Sequence, residues 1–496
     1  MPATECKTVD IITKKKIEES MSEHHKNGYF LELEKRAKAL SDMKRIERDV
    51  IGEVKIEDNE YYGINTFRAR NNFQISGIVE DRDHIRSMTI VKRSAAIANN
   101  KLKALPDDKK EYIVKAADEV LSGKYDSQFV IDVYQAGAGT SFNMNANEVI
   151  ANIALELWGK KKGEYQYLHP NDHVNMSQST NDSYPTMMRI SAIMKAERYI
   201  DEIKNLIKSM EKKAEQFKNS KKPGRTHLQD AAPVTLGMEF SAYAYTLKKN
   251  LKDFENAIDF VLELNIGGTA TGTGINTPKG YKEEIVKEIS SFTGFNFRPS
   301  DNLPGIMEFQ SDFARMMNAI AVNALDINKM ANDIRLMYSG PGAGLHEIFI
   351  PAVQQGSSIM PGKINPSIAE AMNMICHSTI GAQQALNLSV QAGQLELNVM
   401  MPNIDYELSR SLDIMTNGMK MFRTLLIDGI NVNEEACNEH LSKSFGSAAL
   451  LNPVLGYDTV AKVVKEALDT HKSIKEIALK TGKITEEQYT KIMTGK

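Results

Sequence analysis

Three stretches in the middle of this chain repeat apolar residues at alternating steps of three and four. Ile193, Ala196, Ile200, Ile203, Ile207 and Met210 form the first. Leu247, Leu251, Phe254, Ile258 and Val261 form the second; Phe313, Met317, Ile320, Ala324, Ile327, Ala331 and Ile334 form the third. Such alternation puts every member on one face of an α-helix, whereas a half-buried strand needs period two. Each stretch therefore predicts a long helix with one apolar stripe. A helix over 313–338 would run roughly 39 Å at 1.5 Å per residue, and helices that long pack on one another in bundles. A fourth long helix is predicted after Asn365-Pro366, extending to about Gln391, since proline suits a helix's first turn. The 25 methionines suit such seams as adaptable filler. The fold class is mainly α, organised around a long-helix bundle.

At 496 residues the chain exceeds what one compact core usually holds. Residues 1–43 read as a polar extension with one helix around 17–40. A mixed N-terminal domain over 44–183, with helical segments at about 85–104 and 108–122, precedes the bundle at 184–436. Asn452-Pro453 and Gly456 break up a small helical domain at 437–496. A net charge of −3 gives no argument for nucleic acid or an anionic membrane. Cys6, Cys376 and Cys437 are few, far apart and without metal-ligand spacing, which points to a reducing compartment. No apolar run is long enough for a membrane span, and the N-terminus lacks a signal-like apolar core. The expected compartment is the cytoplasm.

Between the helices lie four islands rich in small polar residues. Residues 135–148 combine Gly137 and Gly139 with Thr140 and Ser141. They suit an anion cradle or a capped helix start, and lack the Gly-Lys-Ser/Thr of a phosphate-binding loop. Residues 169–182 are dense in Ser, Thr, Asn and Asp, a composition costly to bury without partners. His169 and His173 would share a helix face, but Pro170 argues against that helix and so against a metal site. His24-His25 has no third ligand nearby. Residues 224–230 set Thr226 beside His227, a hydroxyl and an imidazole able to share one substrate group. Residues 355–366 carry two glycines, two prolines and two serines, which rules out a regular helix or strand. Ser357, Ser358, Lys363 and Asn365 make that loop either a polar surface turn or a lid over a small anion. Glu370 follows one helical turn after it and is a candidate partner for His227.

Residues 356–365 read Gly-Ser-Ser-Ile-Met-Pro-Gly-Lys-Ile-Asn. This resembles the Gly-Ser-Ser-x-Met-Pro-x-Lys-x-Asn signature of the aspartase/fumarase superfamily. The other islands follow in the same order, so the resemblance covers about 450 residues from Arg45 onward. Gly139-Thr140-Ser141-x-Asn143-Met144-Asn145, Ser179-Thr180-Asn181 and Gly393-Gln394-Leu395-Glu396 look like the aspartate ammonia-lyase branch. Fumarases usually carry different wording at each point.

The resemblance implies reversible loss of ammonia from L-aspartate to give fumarate, with Cβ proton abstraction through an aci-carboxylate. It makes Ser357 the general base, oriented chemistry at His227 with Glu370, and a cage for the developing charge from Thr140, Ser179, Thr180 and Ser358. Lys363 and Asn365 would hold the α-carboxylate; Asn181, Thr226 and His227 would hold the leaving ammonia. It implies no cofactor, with a divalent cation as an activator of some relatives. It also implies a homotetramer with active sites shared between subunits, matching apolar helix faces that one chain cannot cover. The nearest rival is fumarate hydratase, with water leaving instead; a non-catalytic structural homologue is the third reading. Four positions depart from the family wording: Phe142, expected to reshape the pocket, and Met176, Gly342 and Val353, where relatives often carry cations.

Overall fold

The computed structural model describes residues 44–494. The helix expected at 17–40, His24-His25 and Cys6 lie outside the described residues. The described residues form two compact units, one of residues up to 177 with 278–281 and one of residues 178–277 with those from 282 onward.

The first unit opens with an antiparallel pair, β1 (Lys44–Arg48) and β2 (Glu53–Glu57), followed by α1 (Ile64–Asn72), α2 (Arg82–Lys101), α3 (Asp107–Leu121) and α4 (Thr140–Leu157). The starts of α1 and α2 are each fixed by a carboxylate. Asp81 accepts from the Asp83 and His84 N–H groups at the head of α2. The buried Glu148, on α4, accepts from Gly63, Asn65 and Thr66 N–H and from Thr66 Oγ1 (2.6–3.1 Å). An anion at a helix N-terminus meets both the unsatisfied donors and the positive end of the helix dipole. Gly63 leaves room for this, because a Cβ there would lie 2.8 Å from the Glu148 carboxyl carbon.

The second unit holds the bundle. Its members are α5 (Thr180–Gln216), α6 (Leu236–Val261), α7 (Ser311–Tyr338), α8 (Ser367–Gln391) and α9 (Met401–Leu425). They form a closed ring in which α5 packs on α6, α6 on α7, α7 on α8, α8 on α9 and α9 back on α5. The seven stripe residues of α7 are all buried. On α5 and α6, Ile200, Leu251 and Ile258 are only partly buried, and Tyr199 is fully buried beside Ile200. A strict seven-residue stripe drifts around a 3.6-residue helix, which accounts for the shift.

Polar clamps set the axial register inside the ring. Asn323 donates to Tyr199 Oη (2.6 Å) and Asn250 donates to Asp326 Oδ2 (2.9 Å). Arg189, fully buried on α5, reaches Asp312 Oδ2 (3.0 Å) and the Phe260 carbonyl (3.1 Å) and lies over the Phe313 ring. Removing its counter-charge leaves a buried guanidinium, so Asp312→Ala is expected to destabilise the protein by about 2 kcal/mol. Urea unfolding checks this, with Asp312→Asn expected to lose less.

Between α5 and α6 runs a hairpin of β3 (Lys221–Thr226) and β4 (Gln229–Thr235), which no alternation of apolar residues announces. After the bundle, α10 (Glu434–Lys443) leads to short C-terminal helices with an apolar cluster of their own, including Leu451, Val460, Val463, Ile474 and Ile477. Cys376 and Cys437 are buried free thiols, and burial pushes both up to about 12. Among the described residues no helix is long and apolar enough to cross a membrane.

Candidate active site

The loop at 355–366 carries no regular secondary structure. Ser357 Oγ accepts hydrogen bonds from the Ile359 N–H (3.2 Å) and the Met360 N–H (2.9 Å). Two amide donors on one hydroxyl oxygen favour negative charge there, because hydrogen bonds to an ionised acceptor are roughly twice as strong as neutral ones. The loop's neck is closed by its own groups. Gly356 N–H donates to the Lys363 carbonyl (2.9 Å), and the Asn365 side-chain amide donates to the Gly356 carbonyl (2.6 Å). A Cβ on Gly356 would lie 2.7 Å from Asn365 N and closer still to the Lys363 carbonyl, so only glycine fits. Gly362 takes the left-handed region at φ 77°. Ser358 and Lys363 are exposed, while Glu370 sits partly buried in the first turn of α8.

His227 occupies the tip of the β3–β4 hairpin. Thr226 pairs with Gln229, leaving His227 and Leu228 as a two-residue turn with φ of 55° and 58°. Primed turns fit the twist of a hairpin, but they favour Asn-Gly rather than His-Leu. Left-handed φ at a residue with a bulky side chain is strained, and such strain concentrates at functional sites. Leu228 is 71% exposed, so it offsets little of that strain by burial. Leu228→Gly is expected to stabilise the protein by about 0.5–1 kcal/mol, as a higher urea midpoint. Thr226 and His227 are exposed, and among the described residues His227 and Glu370 form no hydrogen bond or ion pair with each other.

The start of α5 gathers Ser179, Thr180 and Asn181. Ser179 is the N-cap and accepts from the Asn181 N–H, while Asp182 Oδ1 accepts from the Ser179 N–H (2.8 Å). Asp182 Oδ2 also accepts from the Gly267 and Thr269 N–H groups (3.0 and 2.9 Å), and Asn181 donates to the Ala270 carbonyl (2.8 Å). The segment 267–274 thus sits beside this island. Sequence reasoning missed it, although its run of Gly and Thr was a signal of the same kind.

Thr140 lies in the other unit, as the first residue of α4 after Gly139 at φ 92°. It is exposed, and its hydroxyl donates to the Gly137 carbonyl (2.5 Å). Phe142 corrects an expectation: it is fully buried against Phe129 (centroids 6.0 Å apart) and fills core rather than lining an open pocket. The second correction is at 170–174, where one π-helical turn forms despite Pro170, because proline at the first position of a turn blocks no bond. Both imidazoles there serve the backbone. His169 Nδ1 accepts from Asn171 and Asp172 N–H, and His173 Nδ1 accepts from His169 N–H.

A sequence profile described as Lyase matches residues 52–381, and one described as Fumarase C C-terminus matches residues 448–495. The chain belongs to this lyase family. An aspartate ammonia-lyase of a Bacillus species is 44% identical over 90% of this chain and 96% of its own. That of Escherichia coli K12 is 43% identical over 92% and 96%. Among solved structures, a fumarate lyase:delta crystallin from Brucella melitensis bound to cobalt superposes with a TM-score of 0.88 at 41% identity, covering 91% of this chain and 98% of that one. A class II fumarase from Schistosoma mansoni gives 0.87 at 32% identity with the same coverage. The mainly helical, long-helix architecture is therefore that of the family.

Proposed function

We propose that the protein is an aspartate ammonia-lyase, converting L-aspartate reversibly to fumarate and ammonia. The observation that carries the chemistry is the pair of amide N–H groups on Ser357 Oγ. The relatives named aspartate ammonia-lyase, at 43–44% identity over nearly their whole length, support the substrate.

In this reading the Ser357 alkoxide takes a Cβ proton from aspartate. The C–H electron pair moves into the adjacent carboxylate, which becomes a doubly charged aci-carboxylate. A free serine is too weak an acid for this, and the Ile359 and Met360 amides offset that weakness by stabilising the anion. Thr140, Ser179, Thr180 and Ser358 supply hydroxyl donors where charge develops, the term that most lowers such barriers. The intermediate collapses, the Cα–N bond breaks, and ammonia leaves against Asn181, Thr226 and His227, with Glu370 orienting the imidazole. Lys363 binds the α-carboxylate; Asn365, whose amide closes the loop neck in this structure, would join it as the loop reseats on substrate. Among the described residues, His227 and Glu370 are not paired with each other within the chain. That arrangement supports a homotetramer whose sites draw on several subunits. Exposed apolar side chains on the bundle helices, including Val322, Leu325, Met374 and Leu388, support the same assembly. No cofactor takes part in these steps, a divalent cation would act as activator only, and the compartment is the cytoplasm.

The test is to follow fumarate absorbance with L-aspartate, and separately with L-malate. Fumarate from aspartate supports the reading. Fumarate from malate alone makes the protein a fumarate hydratase, and silence with both substrates leaves a structural role.

A further inference from the structure

The hairpin tip that carries Thr226 and His227 is exposed and strained, so something beneath it must fix its position. Its β4 side lies on residues 445–446: Phe445 N–H donates to Asp230 Oδ2 (3.2 Å), and Gly446 packs so closely on Ala231 that no Cβ would fit. The β3 side rests on one carboxylate. Glu347 is fully buried, and its Oε1 accepts from Arg225 Nη2 (2.7 Å) and lies 3.1 Å from His440 Nδ1. Lys222 Nζ forms an ion pair with Oε2 at 2.9 Å and also donates to Glu239 (2.8 and 3.0 Å), so one ammonium is shared by two carboxylates. The Glu347 backbone is also tied down, donating to the Met337 carbonyl at the end of α7 and accepting from Asn433 N–H (2.9 Å).

A buried carboxylate held by two cations is costly, and a well-packed apolar group would stabilise the fold as well. Burial alone would raise its pKa, but Arg225 and Lys222 outweigh burial and hold the carboxyl below the usual range. What an apolar group could not do is fix Arg225, which precedes Thr226 directly in the chain. Glu347 also precedes Ser357 by ten residues, so one residue braces the hairpin at the point where the chain sets off toward the loop.

We infer that Glu347 and Arg225 are positioning residues that hold Thr226 and His227 in register for the ammonia group, an assignment that rests on the aspartate ammonia-lyase reading. The readout is the addition reaction, in which fumarate and ammonium are separate substrates with separate KM values. Arg225→Gln, at a side chain only 17% exposed, and Glu347→Gln are compared with wild type and with the double variant. The expected result is a rise of about tenfold in KM for ammonium with KM for fumarate within about twofold. The double variant is expected to be no worse than the worse single one, since both act through the same contact. If Glu347→Gln fails to fold, Arg225→Gln alone decides. Unchanged ammonium KM, or equal rises for both substrates, overturns the inference. Wild-type protein that forms no aspartate from fumarate and ammonium overturns the functional reading itself, a result the variants cannot mimic.

Discussion

Ser357→Ala is expected to lower kcat for L-aspartate by about 10³-fold or more, at the upper end of what a positioned proton acceptor contributes. The variant keeps the backbone of the loop and loses only the oxygen on which the Ile359 and Met360 amides converge. KM should change little, because the groups proposed to hold the two carboxylates remain. Ser357→Cys is a sharper comparison, since a thiolate forms more readily but offers amides a poorer acceptor. Steady-state kinetics with a thermal melt on each variant checks the result. A kcat within tenfold of wild type would remove Ser357 from the chemistry.

Gly356→Ala is expected to cut kcat/KM by about a hundredfold or more while leaving the melting temperature within a few degrees. The added methyl cannot coexist with the Lys363 carbonyl and Asn365 N where they stand, so the neck of the loop must open. Opening it breaks the Gly356–Lys363 and Asn365–Gly356 hydrogen bonds and displaces Ser357, the next residue. The bundle core lies elsewhere, which is why stability should hold. Restored activity in Gly356→Ala at high substrate would show that the loop closes on substrate regardless of its resting shape.

Sequence patterning made the scaffold legible where packing alone decides it. The stripe from Phe313 to Ile334 gave α7 nearly to its ends, Ser311–Tyr338, and Pro366 gave the start of α8. Glycine, proline and serine density marked the loop at 355–366 as irregular. What escaped was structure made by distant partners or by backbone strain. The His227-Leu228 turn carries none of the Asn-Gly wording that announces a primed turn, because its geometry is imposed by the strands on either side. Glu347 meets Arg225 across 122 residues and His440 across 93, so no local pattern could flag it. The π turn at 170–174 is hidden by Pro170, which reads as a breaker in a sequence and is harmless at the first position of a turn. Phe142 is expected to reshape a pocket because it departs from the family wording at that position, yet on α4 it is fully buried.

Nearly every group proposed for the chemistry sits at a joint: Ser179 and Thr180 where α5 begins, Thr140 where α4 begins, His227 on a turn, Ser357 on a loop, and Glu370, which orients His227, in a first turn. The ring of helices supplies rigidity and contributes almost none of the reacting groups from its interior. Chemistry and scaffold are therefore separable under mutation. A lineage can rewrite the joints, and so the group that leaves, without repacking a single seam. The likeness in fold to a fumarase at only 32% identity is what such separability produces. The same property makes this ring a frame in which new eliminations can be selected one joint at a time.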